Sequence, residues 1–130
     1  MKLFTSQGKL RYSENKLIVE VDKELSRFYF SMIPKYHKVR TQMYAPHISV
    51  VRKETPPQTV YWGMHEGEII DFMYEPWIYN DETYWWLNTF STRLEDIRFE
   101  LGLPVSSPYT LPPSGFVKCF HCTLGNTKTV

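Results

Sequence analysis

Two triplets in the sequence carry the same pair of functional groups, His47-Ile48-Ser49 and His121-Cys122-Thr123. In an extended strand successive side chains alternate faces, so each imidazole shares a face with the hydroxyl two residues on, about 6.6 Å further along. Two histidines facing one site supply what phosphodiester cleavage without a metal ion needs. A neutral imidazole takes the proton of the attacking oxygen, and a protonated one gives a proton to the leaving oxygen. The hydroxyls can donate to non-bridging phosphate oxygens and hold the phosphorus in line. His47, Ser49, His121 and Thr123 are therefore the candidate catalytic residues. Ser and Thr occupy 20 of 130 positions, so four histidines produce about 0.6 such triplets by chance and the count alone does not establish a site. Placement decides: both triplets fall in predicted strands flanked by apolar residues, whereas His37 and His65 have neither feature.

The elements that would position these strands follow from periodicity and breakers. Residues 9–12 and 16–21 flank Ser13-Glu14-Asn15 and read as a β-hairpin. Asp22 can cap a helix whose apolar stripe is Leu25, Phe28 and Met32, stopped by Pro34. Residues 47–52, between Pro46 and Thr55-Pro56-Pro57, read as a strand. Residues 59–62 and 68–74 suggest a second hairpin through Gly63 and Gly67, ended by Pro76. Leu87, Phe90, Leu94, Ile97 and Leu101 alternate spacings of three and four, which predicts a helix over 82–101 with Gly102 and Pro104 beyond it. Trp85 and Trp86 would then be core or rim residues of that helix. Residues 103–114, with four prolines and three serines, read as a loop, and 116–124 as the last strand. The order is strand, strand, helix, strand, repeated once, and each half ends in a strand bearing His-x-hydroxyl.

Length and composition bound the reading. One domain over 1–130 is expected, with 42% apolar and 22% charged residues as in ordinary globular proteins. A net charge of +1 argues against broad binding to duplex nucleic acid but not against a small phosphorylated ligand. No run of 18 apolar residues occurs and Met1-Lys2-Leu3-Phe4-Thr5 turns polar too quickly for a signal peptide, so no membrane partner and a cytoplasmic location are expected. Cys119 and Cys122 lack a second pair for a zinc site, and on one strand they point to opposite faces, so they read as plain thiols. Asp71, Glu75, Asp81 and Glu82 read as turn and capping residues, so neither a metal site nor a cofactor is expected.

Pro46-His47-Ile48-Ser49-Val50 and Phe120-His121-Cys122-Thr123-Leu124 resemble the paired signatures of the 2H phosphoesterase superfamily, with Ser49 where Thr is more usual. Within it, Gly8-Lys9-Leu10-Arg11-Tyr12-Ser13 and the stretches 33–35 and 44–54 are similar to the bacteriophage anti-CBASS nucleases. The resemblance implies an α+β, two-lobed fold in which pseudo-symmetric antiparallel sheets with flanking helices enclose a central cleft. It implies hydrolysis of the 3′-5′ bonds of cyclic di- and trinucleotide immune signals in the host cytoplasm, with the ribose 2′-hydroxyl as nucleophile and no metal or cofactor. The aromatic surplus, 16% of residues, suggests Tyr12, Tyr44, Trp62, Trp77 and Tyr109 as substrate-binding rings, since stacking is worth about 1–3 kcal/mol per base. Core packing is an equal alternative for each. Arg52, Lys53 and Lys118 flank the motif strands and could reach phosphates. Two other functions stay open at this point: a general 2H activity on RNA ends or 2′,3′-cyclic phosphates, and a module that sequesters a cyclic nucleotide without cleaving it.

Overall fold

Within the stretch 4–21, the apolar residues Leu10 and Tyr12, and Leu17, Val19 and Val21, recur at period two. In the computed structural model, which describes residues 2–104 and 120–128, this stretch folds into two antiparallel strands, β1 (Phe4–Tyr12) and β2 (Lys16–Val21). Asp22 then starts α1 (Lys23–Phe30), its carboxylate accepting the Glu24 N–H at 2.9 Å. The buried face of α1 is not the expected stripe. Phe28 and Met32 are exposed, whereas Tyr29 and Ile33 are buried and Leu25 packs against the core. These residues follow the i+4 phase from Leu25, and the helix ends before Met32.

A two-residue strand, β3 (Arg40–Thr41), precedes the first motif strand, β4 (His47–Arg52). The expected hairpin over 59–74 does not form: Thr59–Tyr61 is a 3-10 turn, and β5 (Ile69–Tyr74) pairs with β1. The apolar run at 59–62 is too short to satisfy a ladder, while β1, at nine residues, offers a second open edge. The expected helix over 82–101 divides in two. Residues Tyr84–Phe90 form β7, preceded by the short β6 (Tyr79–Asn80), and only Thr92–Glu100 form a helix, α2. Tyr-Trp-Trp-Leu-Asn-Thr-Phe is aromatic and β-favouring, and Trp85, Leu87 and Thr89 are buried at period two. Leu87 and Phe90 matched the helical period only by coincidence of phase. Ser91 caps α2, its Oγ accepting the Leu94 N–H at 3.3 Å. The last strand, β8, is described over Phe120–Asn126. The expected loop over 103–114, apart from Leu103 and Pro104, and the start of the strand expected at 116 lie outside the described residues.

Six strands close on themselves in the order β1, β2, β4, β8, β7, β5 and back to β1, every pairing antiparallel. Over the described residues the fold is thus α+β, a six-stranded barrel with two α-helices. Its connectivity repeats, because β1-β2-α1-β4 matches β5-β7-α2-β8 once the two-residue strands are set aside. A row of paired residues, Leu10, Val19, Ile48, Cys122 and Leu87, runs across five strands on the inner face, all but solvent-free. Leu94 and Ile97 of α2, with Leu101 directly after it, add to the same core. Among the described residues no helix is long and apolar enough to cross a membrane.

Candidate active site

The two motif strands are neighbours, and one pair sets their register: Ile48 lies opposite Cys122. In an antiparallel ladder this puts His47 opposite Thr123 and Ser49 opposite His121. Because Ile48 and Cys122 face inward and are buried, these four side chains face outward, and all four are half-buried. They form a rectangle, about 5 Å across the strands and 6.7 Å along them, with imidazoles on one diagonal and hydroxyls on the other. The two histidine backbones, on the diagonal, are then roughly 8 Å apart, with a hydroxyl beside each imidazole.

Each imidazole is held differently. His47 Nδ1 lies 2.8 Å from the carbonyl oxygen of Ala45, which can only accept, so Nδ1 carries the proton and Nε2 faces away from that bond. His121 lies against the indole of Trp86, ring centres 5.0 Å apart at 32°. Trp86 is fixed by its Nε1–H donating to Asn88 Oδ1 at 2.9 Å and by Tyr79 stacked at 6.4 Å. Asn88 is the residue paired with His121 on β7, and Trp86 the one paired with Thr123. Neither Trp86 nor Asn88 was anticipated, because 84–90 reads as helix; pairing of β7 with β8 places them on the motif face, and the β-favouring run Tyr84-Trp85-Trp86 is the sequence signal for that strand. Glu75 is fully buried beyond the end of β5. Its Oε2 accepts from Trp77 Nε1 at 3.0 Å and from the Tyr79 hydroxyl at 2.6 Å.

The expected aromatic contacts divide. Tyr12 shares the face of Leu10, turned away from the motif, and meets Trp62 edge-on at 5.1 Å. Trp62 donates to Ser13 O at 3.2 Å, so this pair packs the core edge. Tyr44 is exposed and borders a cavity that Thr123 also lines. Trp77 is exposed beside Glu75. Tyr109, Lys118 and Cys119 lie outside the described residues. Arg52 and Lys53 are exposed, at or just beyond the end of β4 remote from His47. Cys122 is buried on the inner face, and burial pushes its thiol up to about 12. Of the other histidines, His37 packs on Trp85, and His65 lies 3.0 Å from both carboxylate oxygens of Glu100, beside the ion pair of Arg93 with Glu68. That ion pair holds the Glu68 carboxyl below its usual range. Among the described residues no group of three His, Cys, Asp or Glu side chains could hold a metal ion.

Comparison with protein-family models, with curated proteins and with solved structures found no match to this chain.

Proposed function

We propose that this protein is a metal-independent phosphodiesterase of the 2H type that opens 3′-5′ bonds of cyclic di- and trinucleotides, and that its repeated halves are the two lobes of that fold. The observation that carries the reading is the register of β4 and β8, which sets two histidines and two hydroxyls on one half-exposed face. A scissile phosphate over the rectangle meets a hydroxyl donor from each strand and an imidazole at either end. His47 Nε2 takes the proton of the ribose 2′-hydroxyl as that oxygen attacks phosphorus. His121, as imidazolium, gives its proton to the departing 5′ oxygen. The P–O5′ bond breaks, and a 2′,3′-cyclic phosphate and a free 5′-hydroxyl form. The Trp86 ring against His121 is the contact that distinguishes its surroundings from those of His47 in this assignment. The Ala45 carbonyl supports the other half by keeping the His47 proton on Nδ1 and its lone pair on Nε2.

Evasion of a cyclic-nucleotide defence signal in the cytoplasm of a phage-infected host is the biological role this activity fits, and it rests on the sequence resemblance. Incubation of the purified protein with cyclic di- and tri-adenylate in excess EDTA tests the chemistry. Linear products are expected, and intact rings at long times would refute it. Faster turnover of adenosine 2′,3′-cyclic phosphate or RNA ends than of cyclic rings would replace the substrate with those of a general 2H enzyme. Tight binding without product would replace catalysis with sequestration.

A further inference from the structure

A cavity of about 350 Å³ opens between α1 and the strands that carry the motif, within the size range of small-molecule sites, roughly 300–1,000 Å³. Its lining includes Lys23, Arg27, Thr41, Gln42, Tyr44 and Thr123, and no carboxylate. Thr123 belongs to both the cavity and the catalytic rectangle, and Pro46, directly before His47, forms part of the wall. The far wall is built rather than incidental. Arg40 and Thr41 pair with Asn126 and Gly125, Gln42 accepts from Asn126 Nδ2, and Arg40 donates to the Lys128 carbonyl. Gly125 permits this approach, because a Cβ there would meet the Arg40 carbonyl oxygen. Tyr44 stands at the rim with the Lys16 ammonium 5.8 Å from its ring centre. Among the described residues Arg27 pairs with Glu24 at 2.9 Å, in a pair open to solvent. Such pairs contribute little and exchange readily for a better anion.

We propose that this cavity is the subsite for the second phosphate of a cyclic oligonucleotide, with Lys23 and Arg27 as its cationic donors; the inference rests on the phosphodiesterase reading above. A ring that presents one phosphate to His47 and His121 carries at least one more, joined to it through a single nucleoside. A cation site sharing Thr123 with the catalytic rectangle is placed to meet it. A nucleoside 2′,3′-cyclic phosphate has one phosphate, which the histidines engage, and leaves Lys23 and Arg27 without a ligand. The cavity thus selects rings over single nucleotides.

The test uses His47→Ala/His121→Ala as an inert background and calorimetric titration of cyclic di-adenylate and of adenosine 2′,3′-cyclic phosphate. Adding Lys23→Gln/Arg27→Gln is expected to weaken the ring at least tenfold and the single nucleotide less than twofold. The salt dependence of ring binding is expected to flatten in parallel, as fewer counterions are exchanged. Both side chains are exposed, so an unchanged thermal transition is expected to show that the fold is intact. An unchanged ring affinity, or equal losses for both ligands, overturns the subsite. A parent protein that neither binds nor cleaves cyclic di- or tri-adenylate overturns the phosphodiesterase reading instead, and this inference falls with it.

Discussion

A pair of imidazoles catalyses by holding opposite protonation states, and His47 and His121 stand in different surroundings. One has its Nδ1 proton committed to a backbone carbonyl, and the other lies on an indole face. Replacing either with Ala is expected to lower kcat on cyclic di-adenylate by about 10²–10⁴, the usual worth of a positioned acid or base. Their roles separate on a substrate whose leaving group is a nitrophenolate, which departs without a proton. His121→Ala is expected to recover most of its loss there, and His47→Ala none. Recovery by His47→Ala instead would exchange the two roles, and recovery by neither would remove the acid-base assignment. At the residue scale, spacing together with predicted strand placement singles out all four candidate groups in the sequence. Trp86 and Asn88, which surround His121, were hidden by a helical period that two strand residues shared by coincidence.

At the scale of elements, α2 is tied to the first motif strand by a residue the sequence reading passed over. Arg98 is fully buried, and its guanidinium holds both oxygens of Glu54 at 2.9 and 2.8 Å, the Val50 carbonyl at 2.7 Å and the Pro104 carbonyl at 2.7 Å. A charge taken wholly out of water survives only with this many partners. Removing it strands the Glu54 carboxylate, so Arg98→Ala is expected to cost about 3–5 kcal/mol in urea unfolding. The double variant with Glu54→Ala is expected to recover part of that cost. A loss below about 1 kcal/mol would show that the pair does not fasten α2 to β4. An arginine at that position of an amphipathic helix reads as surface. Only the chain crossing from 54 to 98 makes it interior.

For the molecule as a whole, ring closure leaves the six barrel strands with partners on both sides. It also fixes which titrations are linked to unfolding. The Cys122 thiol and the Tyr29 hydroxyl are both raised by burial to about 12, from ordinary values of 9 and 10. Groups with raised folded values contribute stability that is complete below the unfolded value and lost as pH climbs through the folded one. Stability measured by denaturant is therefore expected to hold to about pH 9 and to fall steadily toward pH 12. Cys122 is expected to resist alkylation across that range until the barrel opens. A flat profile between pH 9 and 12, or rapid labelling of Cys122 at pH 9, would show that the inner face is open to water.

By itself the sequence determined the capped first helix, the β1–β2 pair and the strand placement of both His-x-hydroxyl triplets, because each depends on neighbours a few positions away. Alternation decides a face, and a cap or a proline decides an end. It did not determine that β5 would leave its neighbour in sequence for β1, that residues 84–90 would be a strand, or that Arg98 would be buried, since those depend on partners dozens of residues distant. The register of β4 on β8 belongs to the same class. Each triplet carries its chemistry locally, but a shift of one residue between the strands would have turned one pair inward. Tertiary pairing alone places His47, Ser49, His121 and Thr123 on a common face.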